Sequence, residues 1–338
     1  MKVLVTGSNG FLGAALVKRL LAYGENVVRC FVRTGSDLSR LEAIQQNYKD
    51  DDRLEIFFGS LSSSASAGRA LEGVGTVYHL AAGMQGDPAD YFLNTVVASK
   101  NLLEASIRSA SVKLVLVSSF SVYGVAPLPT GQVVNESTPL EPYPEKREVY
   151  GQAKLRQETL FWEYQNRYRL PLVVLRPGVI YGPGGGTALP HRIGFHYAGV
   201  FWHLGDDNIL PLSYVDNCAE AIVLAGRMDQ AIGQAYNVHD DDLPTCKEYL
   251  SFYKRYEPLR TISVPYVIAL AVSKIYGKCN PYFYGSVPKT FTPYNVATYW
   301  KGTRFDNSKI KSLGWQQPVS AEEGMRRTFE SLKLKSFT

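Results

Sequence analysis

The 338-residue chain predicts an α/β fold: a doubly wound parallel sheet with a smaller, mostly C-terminal α/β region for substrate. Three observations carry this expectation. Short β-branched runs alternate with stretches of helical period. The runs are apolar on both faces, as in a sheet covered by helices on both sides. A glycine-rich turn joins the first run to the first helical stretch.

The elements follow in order. Lys2–Thr6 is a β-branched run of strand length. Gly10–Tyr23 carries Leu12, Leu16 and Leu20 at helical spacing and stops at Gly24. Val27–Arg33, Leu54–Phe58 and Thr76–Ala81 read as the next strands. A long helical pattern covers Tyr91–Ser109. Lys113–Ser118 is a strand, Tyr150–Tyr168 a helix and Leu172–Arg176 another strand. After Gly182 the pattern degrades into GPGGG, aromatic residues and short Pro-flanked elements. Leu212–Gly226 keeps the strand–helix pattern, and Ala235–Val238 reads as a strand. The expected partition is a nucleotide-binding unit of 1–181 plus 212–240 and a substrate-binding region of 182–211 plus 241–338. No internal repeat or low-complexity linker interrupts it.

Composition bounds the function classes. At 45% apolar and 20% charged residues, the chain is an ordinary soluble globular sequence. Net charge is +5 with Lys and Arg scattered, so nothing supports nucleic-acid binding. Cys30, Cys218, Cys246 and Cys279 lack metal-ligand spacing, and a chain this long needs no disulfide frame. Reduced thiols in a cytoplasmic enzyme are expected. Met1 leads straight into an apolar strand, without the pattern of a secretory leader. The longest apolar stretch, Val264–Gly277, is interrupted by Lys274, and its apolar part is about half the roughly 20 residues a membrane span requires. Stable membrane insertion is not expected. A core helix is the favoured reading of this segment, ahead of a pocket wall or a weak membrane contact.

The stretch VTGSNGFLG places Gly7, Gly10 and Gly13 between the first strand and the first helix. Gly7 permits the tight turn. Gly10 lets backbone N–H groups approach a pyrophosphate at the helix N-terminus, and Gly13 allows close helix–strand packing. A plain βα turn is the bland alternative, and the strand–turn–helix context weighs against it.

The spacing is G-x-x-G-x-x-G. Across residues 1–240 the chain resembles the extended short-chain dehydrogenase/reductases, the NAD-dependent epimerase/dehydratase group. The resemblance rests on TGSNGFLG, HLAA at His79–Ala82, Asn94, SSFSVYG at Ser118–Gly124, Tyr150 with Lys154, and LRPGVIYGPG at Leu175–Gly184. It implies a Rossmann-type domain. It also implies cofactor contacts from Asn9, Phe11, Leu12, Ser60, Leu61, Ala81, Ala82 and Pro177, beside Gly7, Gly10, Tyr150 and Lys154. Members often form homodimers through a four-helix interface. NAD-preferring relatives carry an Asp near the end of the second strand, where VVRCFVR has Phe31 and then Arg33. A guanidinium there would bind a 2′-phosphate, and Arg40 could add a second contact. NADP(H) is therefore favoured, with NAD(H) left open. A solvated strand-end charge is the bland reading of Arg33. GSL at Gly59–Leu61 departs from the family's usual Asp-Leu.

A chain with 22 Tyr supplies about one Tyr-x-x-x-Lys by chance, so VYGQAK says little alone. On a helix, Lys154 would lie one turn from Tyr150 on the same face. Its ammonium is expected to lower the phenol's pKa from about 10, letting Tyr150 exchange a proton with a substrate oxygen. The resemblance implies that Lys154 also holds the nicotinamide ribose, and that Ser119 holds the substrate oxygen. Each residue has a bland reading, as strand end or helix surface, but their joint order behind the glycine turn favours a proton-transfer set. Asn94 fits a proton relay or helix packing equally. His79, inside YHLAA, reads as a core histidine. His191, His196 and His203 lack ligand-like partners, and no metal is assigned.

Two positions argue against sugar-nucleotide chemistry. The 4,6-dehydratases carry Asp-Glu where Phe120 and Ser121 stand. Many nucleotide-sugar epimerases carry Arg-Asp where Leu210 and Pro211 stand in NILPLSYVDN, although Arg192 or Arg304 could substitute. YVDNCAEAIVLA, with Asp216 and Asn217, looks more like the 3β-hydroxysteroid dehydrogenase-like and dihydroflavonol reductase-like members, which take bulky, rather apolar alcohols and ketones. The aromatic stretches Phe195–His203 and Pro281–Gly285 fit such ligands. The leading expectation is an NAD(P)-dependent oxidoreductase acting on a bulky secondary alcohol or ketone, with Tyr150 as general acid/base. A nucleotide-sugar 4-epimerase with tightly bound NAD is the rival. A non-catalytic NADP-sensing protein is disfavoured by the intact Ser119, Tyr150 and Lys154.

Overall fold

The computed structural model describes residues 2–25, 27–48, 52–109, 112–186, 188–279 and 291–335. The first part runs β1 (Lys2–Thr6), α1 (Phe11–Ala22), β2 (Val27–Val32), α2 (Ser39–Asn47), β3 (Leu54–Phe58), α3 (Ser64–Ala70) and β4 (Val74–His79). Next, α4 (Pro88–Phe92) passes through a π-helical turn at Leu93–Val97 into α5 (Ala98–Arg108). There follow β5 (Lys113–Val117), β6 (Val133–Val134), α6 (Val149–Tyr168), β7 (Leu172–Pro177), β8 (Val179–Tyr181), β9 (Gly194–Tyr197) and β10 (Val200–Leu204). The remainder is β11 (Leu212–Tyr214), α7 (Val215–Arg227), β12 (Gln234–Val238), α8 (Cys246–Tyr253), β13 (Thr261–Val264), α9 (Tyr266–Cys279), α10 (Pro293–Trp300), β14 (Arg304–Phe305), α11 (Ser308–Lys311) and α12 (Ala321–Lys335).

The main sheet has seven strands in the order β12-β7-β5-β4-β1-β2-β3, and every pairing is parallel. Residue alternation explains its two covered faces. Val3, Val5, Val115 and Val117 join the core under α1 and α7, while Leu4, Leu114 and Leu116 join the core under α5 and α6. The chain winds outward from β1 to β3, returns to β4 and winds the other way. In such sheets ligands bind in the crevice at the carboxyl ends of the strands flanking the reversal, here β1 and β4. A second sheet, β13-β10-β9, carries the later part of the chain. Its own small core contains Leu204, Ala269, Phe291, Val296 and Trp300. Buried Asn217 joins the two parts, donating to Asp240 at 2.8 Å and to the Val319 carbonyl at 2.7 Å.

Some expectations need correction. The helix over 91–109 is broken by the π-helical turn, whose extra residue a 3.6-residue period does not reveal. The short polar helices α2 and α3 had no clear apolar stripe; α2 buries only Leu41 and Ile44. The core reading of the Val264–Gly277 segment holds for one face only. Ala269 is 1% exposed, but Val267 is 73% and Ile275 65% exposed. Among the described residues no helix is long and apolar enough to cross a membrane. The stretch Pro281–Gly285 lies outside the described residues, as does the side chain of Cys279. Cys30, Cys218 and Cys246 are unpaired and buried, and burial pushes their thiols up to about 12.

Candidate active site

The turn after β1 is shaped by its glycines. Gly7 has φ +70°, and a Cβ there would sit 3.0 Å from the Ala81 nitrogen. A Cβ on Gly13 would lie 2.0 Å from the Gly7 carbonyl oxygen, so only glycine lets α1 start this close to the strand. Gly10 caps α1 without a side-chain cap, which leaves first-turn N–H groups available to an anion. Leu12 is buried behind the turn. The Phe11 ring would stand 3.1 Å from a Cβ on Gly185. Arg40 lies 6.0 Å over that ring and donates to the Gly184 carbonyl at 2.9 Å. Asn9 donates to the Asp37 carbonyl at 3.2 Å. A cradle of backbone donors without side chains fits a dinucleotide's pyrophosphate.

Most other candidate cofactor residues lie at or just past the carboxyl ends of the sheet strands. Ala81 and Ala82 follow β4, and the Ala81 N–H donates to Thr6 at 3.3 Å. Leu61 is buried, and the Ser60 hydroxyl accepts from the Ser62 N–H at 3.2 Å. Pro177 is buried at the end of β7, opposite Val238. Phe31 is 4% exposed and stacks on Phe57 at 5.6 Å, so it is core. Arg33 is exposed just past β2 and reaches Asn94 at 3.3 Å. Asn94 stands in the π-helical turn and donates to the Asp90 carbonyl at 2.9 Å.

Tyr150, in the first turn of α6, meets Ser119, which follows β5, and against the rise from burial the Ser119 hydroxyl pulls the phenol's pKa down. The Ser119 oxygen also accepts from the Ser121 N–H at 3.1 Å. The neighbouring Ser118 points the other way, onto Glu158, which is ion-paired with buried Arg176. Lys154 is 2% exposed and donates to the Val117 carbonyl at 2.7 Å and to Gln157 at 2.5 Å. Burial pushes its pKa down to about 7, against the pull of Glu158. The expected downward shift of Tyr150 is overturned. Burial raises its pKa, the Ser119 hydroxyl opposes this, and Glu148 and Tyr91 add to the rise. The Lys154 ammonium is turned into the sheet and does not offset that burial.

His79 is a satisfied core histidine, bonded to Thr6 and Ser99 at 2.8 Å each, and burial pushes its pKa down to about 3. Gln157 links this histidine's cluster to Lys154 by donating to Ser99 at 2.8 Å. Sequence reasoning missed Gln157, because a glutamine three residues past Lys154 looks like helix surface.

A cleft of about 1280 Å³ opens beside Tyr150, walled by Tyr91, Tyr143, Tyr294 and Tyr299. Its floor is pinned by Arg147, paired with Glu141 at 3.1 Å and Glu148 at 3.3 Å. Tyr299 donates to Glu148 at 2.6 Å. These anchors were also missed; the Tyr299–Glu148 contact spans 151 residues of chain. Leu210 is fully buried, and the Pro211 carbonyl accepts from Val179 at 2.7 Å, so both belong to the fold. Arg304 is exposed on β14, whereas Arg192 is half-buried over Tyr299 and Phe305. Phe120 is buried against Phe305 at 5.4 Å. Among the described residues no three His, Cys, Asp or Glu side chains form a metal-binding group.

Comparisons with known proteins identify the family and the fold. The chain is similar to the 2-alkyl-3-oxoalkanoate reductase of Shewanella oneidensis, with 30% identity over 97% of this chain and 85% of that protein. It is 27% identical to the decarboxylating sterol-4-alpha-carboxylate 3-dehydrogenase of Candida albicans, over 97% of this chain and 96% of that one. Among solved structures, the UDP-glucuronic acid 4-epimerase from Bacillus cereus in complex with NAD superposes with a TM-score of 0.73. It covers 99% of both chains at 21% identity, a likeness that speaks for the fold alone. The family model for NAD-dependent epimerase/dehydratases matches residues 3–238. That span takes in all seven strands of the main sheet, from the second residue of β1 to the last residue of β12, and so the chain belongs to the NAD-dependent epimerase/dehydratase family.

Proposed function

We propose that the protein is an NADP(H)-preferring oxidoreductase interconverting a secondary alcohol and a ketone on a bulky small molecule. The observation that carries this reading is the meeting of Ser119 and Tyr150 at the edge of an aromatic-walled cleft. The Gly7–Gly13 cradle would hold the pyrophosphate, and Arg33 a 2′-phosphate. When bound, the nicotinamide supplies hydride exchange with the carbinol carbon. Tyr150 donates its phenol proton to the ketone oxygen in reduction and takes it back in oxidation. Its raised pKa keeps that proton in place at neutral pH. Ser119 donates a hydrogen bond to the same oxygen and steadies its developing charge. Lys154, one turn along α6 with its ammonium on the Val117 carbonyl, would hold the nicotinamide ribose.

Two relatives support the alcohol–ketone chemistry by name, the 3-oxoalkanoate reductase and the sterol 3-dehydrogenase. Both names also describe a carboxylate one carbon removed from the oxygen-bearing carbon. We extend that substrate class, an apolar 3-hydroxy or 3-oxo acid, to this chain. The nucleotide-sugar 4-epimerase reading is weaker, because Leu210 and Pro211 are fold residues where a diphosphate grip would stand. A homodimer and a cytoplasmic setting complete the proposal. Leu93 and Val97, exposed along the α4–α5 line, fit a helix–helix contact, and buried free thiols fit a reducing compartment.

The test is direct. Bound nucleotide is released, NADPH and NADH are titrated separately, and Arg33→Ala is compared with the native protein. Exchangeable NADPH binding, weakened about tenfold or more by Arg33→Ala with NADH little changed, is the expected result. Tightly retained, non-exchanging NAD would overturn the reading in favour of the epimerase. Equal losses for both nucleotides would remove the 2′-phosphate role of Arg33.

A further inference from the structure

We infer that Arg192 is the anion-binding residue of the substrate cleft and takes a substrate carboxylate. The inference rests on the oxidoreductase reading for the identity of the cleft. Arg192 follows His191, which lines the cleft. Its guanidinium lies 5.4 Å from the centre of the Tyr299 ring and 5.6 Å from that of Phe305. Those rings lead to the two halves of the proton-transfer pair. Tyr299 donates to Glu148, two residues before Tyr150, at 2.6 Å. Phe305 stacks at 5.4 Å on Phe120, the residue after Ser119. Arg192 therefore stands one aromatic ring from the cleft wall at Tyr299 and one ring from Phe120, beside both groups.

Its electrostatics set it apart from its neighbours. Arg147 is paired with Glu141 and Glu148, and Arg176 with Glu158. The Arg192 guanidinium forms no ion pair and no side-chain hydrogen bond among the described residues. Burial lowers its pKa from the ordinary arginine value, and Arg147 adds to the fall, against the weaker pull of Tyr299 and of Glu148, which is already paired with Arg147. A desolvated charge is costly unless an opposite charge meets it. Two aromatic faces can steady the plane of the guanidinium while its N–H edge stays free, and that edge matches a carboxylate bidentately. One cation balances one carboxylate. A diphosphate brings more charge, and the apolar Leu210 and Pro211 add no cation to meet it.

The test uses 3-hydroxydecanoate and its methyl ester as probes, with the whole protein and NADP. Native, Arg192→Met and Arg192→Lys proteins are compared for oxidation of both probes. Binding of 3-hydroxydecanoate is followed separately by the fluorescence of the native tryptophans. Native protein should prefer the acid over the ester by about tenfold or more in kcat/KM. Arg192→Met should erase that preference through KM, and Arg192→Lys should restore part of it. NADP affinity should be unchanged in both variants, which shows that they are folded. An acid-to-ester ratio that survives Arg192→Met in a protein still binding NADP would overturn the inference. So would equal use of acid and ester by the native protein, or Arg192-dependent binding of UDP in place of the acid. Arg192-dependent binding of the acid without any oxidation would sink the oxidoreductase reading and leave the anion site standing. Absence of both binding and oxidation would overturn both.

Discussion

Replacing Lys154 by methionine should yield a protein that is more stable than the native one at pH 6 and catalytically dead. Lys154 is 2% exposed, and burial pushes its pKa from 10.5 to about 7. That shift corresponds to a penalty of about 5 kcal/mol for carrying the charge in the folded state. Below pH 7 both folded and unfolded chains hold the proton, and the full penalty applies. Between pH 7 and 10.5 the unfolded chain binds one more proton than the folded chain. Native stability therefore rises by about 1.4 kcal/mol per pH unit through this residue alone. Methionine removes the penalty but leaves the Val117 carbonyl and the Gln157 side-chain oxygen without their donor. Each orphaned acceptor costs about 1–2 kcal/mol. The net gain at pH 6 is about 1–3 kcal/mol. By pH 9 the native protein has shed about 3 kcal/mol of penalty, so the gap should close or reverse. Urea unfolding followed by tryptophan fluorescence at pH 6, 7, 8 and 9 measures this. Parallel pH profiles for the two proteins would refute a buried Lys154 titrating near neutrality.

Two further substitutions probe the scaffold. Gly13→Ala places a methyl group 2.0 Å from the Gly7 carbonyl oxygen, so the turn must move. Destabilisation of about 1–3 kcal/mol in urea melts, with weaker NADPH binding, is expected; unchanged nucleotide affinity would detach the turn from the cofactor. Glu158→Ala strands the buried Arg176 guanidinium and removes the acceptor of Ser118. A loss of about 3–5 kcal/mol in chemical unfolding is expected, and a loss below 1 kcal/mol would mean that the pair is solvated.

Strand–helix alternation made the sheet legible because its strands are buried on both faces, leaving runs such as LVLV at 114–117 with no polar residue facing out. The glycine turn was legible because its demands are local: a left-handed φ at Gly7 and a close approach at Gly13. The meeting of Ser119 and Tyr150 followed from family order, which stands in for tertiary contact. The direction of the Tyr150 shift was not legible. Helical spacing puts Lys154 one turn away but does not say that its Nζ bends toward the Val117 carbonyl. The substrate side was hardest to read. Arg192 in a turn, Tyr299 in α10 and Phe305 in β14 meet from distant parts of the chain, and no local signal pairs them. The π-helical turn carrying Asn94 was hidden because its backbone departs from the period by which helices are recognised.

In the proposed reaction Tyr150 hands a proton to the substrate oxygen. Tyr150→Phe removes the hydroxyl and keeps the ring. Turnover of an identified alcohol or ketone and NADPH affinity should be measured on the same preparation. Turnover should fall by a factor of about a hundred to ten thousand with nucleotide affinity unchanged. Near-native turnover in the phenylalanine variant would contradict the claim.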